Sequence, residues 1–159
     1  MPDRFPQTPD PFELLSANVV ALRSQGNWTT RALAENAHVS RNSLVNLEHG
    51  RSNLSLSTVD KLARALGVTT GSLFGQQPIP RQTQDESIEA VLAQNLSAAR
   101  RNRSLTQATL GQQSGVSMYV VAHIERQAYN PSLQTLAKLC VPLHCTVEAL
   151  LSAPRQARG

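Results

Sequence analysis

The chain is written twice. Sliding the sequence 77 positions against itself lays "NVVALRSQGNWTTRALAENAHVSRNSLVNLEHGRSNLSLSTVDKLARALGVTTGSLF" (18–74) on "NLSAARRNRSLTQATLGQQSGVSMYVVAHIERQAYNPSLQTLAKLCVPLHCTVEALL" (95–151) without a gap. Of the 57 aligned pairs 17 are identical, and many others exchange one apolar residue for another. Self-similarity at one fixed offset marks a duplicated module. Two copies are too few to stack into a solenoid, so the expectation is two small domains set like beads on a string.

Within each copy the apolar spacing and the punctuation agree on five helices. In copy one, Leu15, Val19 and Leu22 recur at helical spacing over 13–25. Thr29 caps a helix over 30–37, and the turn "HVS" follows. Ser40 caps a helix over 41–49 that stops at Gly50, Ser55 leads into 56–66 ending at Gly67, and Thr69 caps 70–74. Copy two repeats the pattern with caps Thr106, Ser117, Ser132 and Thr146. Pro142 predicts a shortened fourth helix there, because proline removes a donor and crowds the preceding turn. Period-two alternation never persists, so no strand is expected. The reading is therefore all-α: an N-terminal arm over 1–12, a first domain over 13–74, a Pro/Gln-rich linker over 75–86, a second domain over 87–151 and a basic tail over 152–159.

Composition narrows the chemistry. Aromatic residues make up 4% of the chain, so aliphatic side chains must build the core. The net charge is +4, and of 15 basic residues only Lys61 and Lys138 are lysine. Arginine is the better bidentate partner for phosphate and guanine, so the balance is compatible with nucleic acid. No apolar run approaches the roughly 18–20 residues of a membrane span, and "MPDRFPQTPDPF" has neither the basic nor the apolar region of a secretory signal. A reducing cytoplasm is the expected location.

A short helix, a tight turn and a second short helix make a helix-turn-helix. That geometry needs small residues at the crossing, here Ala34 and Gly111, and a turn residue that tolerates positive φ, here His38 and Gly115. Apolar residues must pin the second helix from inside: Leu44 and Leu47, or Val121 and Ile124. The patterns "TTRALAENAHVSRNSLVNLEHGRSNLSLSTVDKLARALGV" and "LTQATLGQQSGVS…IE…NPSLQTLAKL" resemble the Cro/C1 (XRE) family of helix-turn-helix DNA-binding domains, in both copies. The resemblance implies two tandem five-helix, lambda-repressor-like domains. It also implies a sequence-specific regulator of transcription, most simply a repressor.

In that family the N-terminal end of the third helix enters the major groove and the second helix crosses the backbone. Carried over, the base-reading positions of copy one are Ser40, Arg41, Asn42 and Asn46. Spacing agrees, since 41, 42 and 46 share one helical face away from Leu44 and Leu47. Arginine suits guanine and asparagine suits adenine. In copy two the matching residues are Gln107, Ser117, Met118, Tyr119 and His123. Met118 has no donor but can meet a thymine methyl. Thr30, Gly50, Arg51, Asn53, Arg101, Arg103 and Asn130 are the expected phosphate contacts. Copy two loses two features after its third helix, where Gln127 stands in place of the glycine and Ala128 in place of Arg51.

Two matched pairs, Arg23 with Glu48 and Arg100 with Glu125, suggest acid–base chemistry at first sight. The resemblance assigns them instead to structural ion pairs between the first and third helices. Cys140 and Cys145 fall opposite Ala63 and Val68, both apolar positions, and lack zinc-site spacing. No metal, no cofactor and no catalytic constellation is expected, so the chain is not read as an enzyme. Double-stranded DNA is the expected partner. Homodimerisation through the domains or tails stays open. So does a protein-interaction role, antitoxin-like or anti-activator, in which the second repeat or both bind a protein.

Overall fold

Side-chain caps and apolar stripes set out the helices, and the computed structural model describes residues 9–82 and 85–154. The first repeat consists of α1 (Pro11–Gln25), α2 (Thr30–Ala37), α3 (Arg41–Glu48), α4 (Leu56–Leu66) and a 3-10 turn (Gly71–Phe74). The second consists of α5 (Ile88–Asn102), α6 (Gln107–Ser114), α7 (Met118–Glu125), α8 (Leu133–Leu143) and α9 (Val147–Leu151). Thr29, Ser40 and Ser55 accept backbone N–H groups at the starts of α2, α3 and α4. Thr106, Ser117, Ser132 and Thr146 do so in the second repeat. Each cap satisfies a donor that a free helix end leaves orphaned. No strand forms among the described residues, where only two isolated bridges occur.

Three expectations about single helices need correction. The fifth element of the first repeat is a 3-10 turn rather than an α-helix. The first helix starts at Pro11, inside the expected arm, because Asp10 caps it and proline is tolerated in a first turn. Pro142 does not shorten α8, which has the same 11 residues as α4. Its missing N–H falls in the last turn. The helix still closes, with His144 in the left-handed conformation and Cys145 N donating to Cys140 O at 3.3 Å. Of the arm and tail, residues 1–8 and 155–159 lie outside the described residues.

The repeats are not beads on a string. A single apolar cluster runs from Leu15 and Val19 through Leu73 and Phe74 to Val147, Leu150 and Leu151. The contacts that join the repeats are reciprocal. Leu56 N donates to Pro131 O at 2.8 Å, and Leu133 N donates to Leu54 O at 2.9 Å. Positions 54 and 131, and 56 and 133, are equivalent under the 77-residue shift. Ser55 faces Ser132, its own equivalent, across an antiparallel bridge. This is the pattern of an isologous interface, in which one patch meets its own copy about a two-fold axis. Here the axis is a pseudo-dyad within one chain, passing between Ser55 and Ser132.

The linker is likewise no free tether. Val68 bridges to Pro80, Thr69 N donates to Ile79 O at 2.7 Å, and Arg81 N donates to Gly67 O at 3.0 Å. The Arg81 guanidinium bonds Val68 O, Thr70 Oγ1 and Asp60 Oδ1. Residues 79–81 are thus fastened to the first repeat.

Candidate nucleic-acid interface

The two helix-turn-helix units are framed alike. Arg23 Nε meets Glu48 Oε1 at 2.5 Å, and Arg100 Nε meets Glu125 Oε1 at 2.6 Å. Each arginine also donates to a carbonyl at the following turn, Trp28 O and Leu105 O respectively. Each bridge ties the first helix of its repeat to the end of the third. The side chains are largely buried, so removing one partner would strand a charge. In the second repeat Gln107 Nε2 joins the network, donating to Glu125 Oε2 at 2.8 Å. Burial pushes the Glu125 carboxyl up, but hydrogen bonds from Arg100 and Gln107 and the Arg100 charge outweigh it. The carboxyl is held below its usual range.

The turns differ in tightness. His38 takes φ 56° and Gly115 takes φ 75°, so both turns use the left-handed region, with the residue suited to it only in the second. A Cβ on Gly111 would stand 2.7 Å from Val116 O, so α6 and the start of α7 approach closely only because that position is glycine.

The expected reading residues of the first repeat gather on one exposed face. Ser40, Arg41, Asn42 and Asn46 are all exposed, and Ser40 Oγ accepts Ser43 N at 3.0 Å as the cap. Among the described residues, the side chains of Arg41, Asn42 and Asn46 bond no other protein group, so their donors stay available. Thr30 opens α2 and is half-buried, while Gly50 and Arg51 are exposed beyond α3.

In the second repeat Met118 is 42% exposed and Tyr119 70%. Ser117 caps α7 through Tyr119 N at 3.2 Å. His123 Nδ1 lies 2.6 Å from Tyr119 O. A carbonyl can only accept, so the hydrogen sits on Nδ1, and a neutral ring then presents Nε2 as an acceptor. Arg101 and Arg103 are exposed at the end of α5, and the Arg101 charge is felt at Glu125. Gln107 lies at the start of α6, its amide nitrogen already engaged by Glu125.

Asn53 and Asn130, expected at phosphate, are turned into the repeat interface instead. Asn53 Oδ1 accepts Gln134 N at 3.0 Å, and Asn130 Oδ1 accepts Ser57 N at 3.0 Å. Their amide nitrogens bond Gln134 Oε1 and Ser57 Oγ. Reasoning from one copy at a time cannot find this, because each asparagine's partner lies in the other repeat. The usable signal was that both asparagines persist where their surroundings diverge.

The pseudo-dyad fixes how the two faces are presented. A two-fold rotation leaves height along its axis unchanged, so equivalent elements sit at the same end of the molecule. The segments that directly follow α3 and α7 supply the reciprocal backbone bonds of the interface, and residues 71–75 and 148–152 complete it. α3 and α7 are therefore equivalent about this axis, with Arg41/Asn42 on the one and Met118/Tyr119 on the other.

A helix-turn-helix family model matches residues 20–73 and again residues 96–150. A curated relative, the immunity repressor protein of Bacillus phage phi105, is 35% identical over 68 residues. That stretch is 43% of this chain and 47% of the relative, so the match spans about half of that protein's length. No solved structure matches the chain. Among the described residues no helix is long and apolar enough to cross a membrane.

Proposed function

The chain belongs to the Cro/C1-type (XRE) helix-turn-helix family, and on that basis we propose that it is a transcriptional repressor whose single chain reads an asymmetric site in double-stranded DNA. One observation carries this reading. The pseudo-dyad through Ser55 and Ser132 makes α3 and α7 equivalent, and equivalent helices of two-fold dimers are the ones that serve successive half-sites. Such half-sites lie about one helical turn, ~34 Å, apart. The phage relative is an immunity repressor, which supports repression. Covering a promoter is its simplest mechanism.

The division of labour follows from the side chains. Arg41 would take guanine O6/N7, and Asn42 or Asn46 would take adenine N6/N7, each good bidentate pair discriminating by about 1–3 kcal/mol. Ser40 and Ser117 stand at the helix N-termini, where the backbone dipole favours phosphate. In the second half-site Met118 would pack on a thymine methyl, Tyr119 would reach base or backbone, and His123 Nε2 would accept from an exocyclic amine. Thr30, Gly50, Arg51, Arg101 and Arg103 would hold phosphate, and Gln107 Oε1 would be oriented by the Glu125 bond. Because the reading faces differ, the site differs between its halves.

A second reading has its own observation. Met118 and Tyr119 on α7, and the 43%-exposed Tyr129 in the segment after it, put three large side chains with apolar surface on the second repeat, and such residues are enriched in protein interfaces. Binding to a selected DNA site, titrated with salt, separates the two. Arg41→Ala/Asn42→Ala should weaken binding at least tenfold, and Met118→Ala/Tyr119→Ala should weaken it by a smaller, measurable factor. An effect from the first pair alone would assign the second repeat to a protein partner. No effect from either pair would overturn the regulator reading.

A further inference from the structure

We propose that the face joining the repeats is a pairing of unlike surfaces, so that each repeat is built to meet the other kind and not its own. The interface backbone is close to two-fold, but its side chains are not. Gly71 and Gly75 of the first repeat occupy the positions that Glu148 and Ser152 occupy in the second. These four residues meet crosswise. A Cβ on Gly71 would stand 2.5 Å from Ser152 Oγ and 2.8 Å from Leu151 O. A Cβ on Gly75 would overlap the Glu148 carboxylate. The two contacts are each other's image under the 77-residue shift, since 71 maps to 148 and 75 to 152. The first repeat therefore supplies two hollows, and the second supplies the two side chains that fill them. Both glycines are buried and neither has a positive φ, so turn geometry does not explain them. Close approach does.

The consequence for pairing is steric. Two second repeats brought together on this face would set Glu148 where Gly71 now lies, against the Leu151 backbone. Ser152 would then stand where Gly75 leaves room for the Glu148 carboxylate. Two first repeats would set hollow against hollow and lose both fillings. Only the mixed pair closes, and overpacked and hollow interfaces are both penalised. The partner that this surface fits is thus the unlike repeat, of the same chain or of a second copy. Two identical repeats from different chains do not come together here on a palindrome. The DNA-reading orientation of the chain is then set before it meets DNA.

The test uses the full chain and needs no DNA, so it stands apart from the regulator reading. Gly71→Glu/Gly75→Ser gives both repeats the second repeat's side chains at these positions. Its thermal midpoint should fall by roughly 5 °C or more, and hydrogen exchange at the Leu133 amide, which donates to Leu54 O, should accelerate. An unchanged midpoint and unchanged exchange would overturn the proposal. Should that variant not fold, Gly75→Val and Glu148→Ala form a thermodynamic cycle. The loss caused by Gly75→Val should shrink by at least half when Glu148 is alanine. Equal losses in both backgrounds would overturn it.

Discussion

Asn53 and Asn130 do the same work in opposite directions. Asn53 Oδ1 accepts the N–H of Gln134 in the first turn of α8, and Asn130 Oδ1 accepts the N–H of Ser57 in the first turn of α4, both at 3.0 Å. Asn53 follows α3 and Asn130 follows α7 by a few residues, and each supplements the cap of a helix in the other repeat. The segment that follows α3 or α7 is therefore also part of the contact between the repeats.

Asn53→Ala and Asn130→Ala should each cost roughly 1 kcal/mol, the value of a lost cap. That is about 2–4 °C in the melting midpoint for a chain of this size. The slope of log affinity against log salt should stay unchanged, whereas a phosphate contact would lower it by about 1. A shallower slope with an unaltered midpoint would return these residues to the DNA.

Gln127 holds φ 59° where the first repeat has Gly50 at φ 69°. A side chain in that region is strained by about 1 kcal/mol or more. Gln127→Gly should raise the midpoint by a few degrees, and Gly50→Gln should lower it. Nothing stands within 4 Å of a Cβ at Gly50, so strain rather than crowding is what the second change reports. Calorimetry on the two variants checks the opposite signs.

Glu125 titrates below its unfolded-state value of about 4.3, because Arg100 and Gln107 outweigh its burial. A carboxyl with a depressed folded pKa contributes stability above the unfolded value and loses it as pH falls through the folded one. The acid limb of the stability profile should therefore move to higher pH in Gln107→Ala, which removes a donor to Glu125 Oε2. Melting between about pH 6 and pH 3 spans that window. An acid limb that does not move would show that Gln107 does not hold the carboxylate.

Arg81 fastens the chain between the repeats through Asp60, Thr70 and Val68. Arg81→Ala should free that segment, and cleavage by a trypsin-independent protease within 75–82 should quicken several-fold. The repeat interface should survive, with slow exchange at Leu56 and Leu133 retained. Simultaneous loss of both would mean that the strap, not the interface, holds the halves together.

The sequence was most legible where local chemistry decides. Ser40, Ser117 and the other side-chain caps mark their helices, because a hydroxyl and a backbone N–H two or three residues apart settle the matter locally. The Arg–Glu pairs were legible as repeated partners at matched positions. What stayed hidden depends on surfaces meeting. Nothing within 18–74 says that Asn53 has a partner at 134, nor that Gly71 is small because Leu151 lies against it. Pro142 misled for a related reason: its local penalty is real, but in a last turn closed by His144 and Cys145 it does not end the helix. The exposed side of α3 was legible as one face, since Arg41, Asn42 and Asn46 share it. Why α7 carries Met118 and Tyr119 is a matter of what they touch.

Selection of bound sites from random DNA, followed by stoichiometry on the best site, tests the central claim most directly. The account predicts two unlike half-sites about one helical turn apart, in one fixed order, occupied by one chain. Arg41→Ala should relax only one half and Met118→Ala only the other. A symmetric palindrome bound by two chains would contradict it.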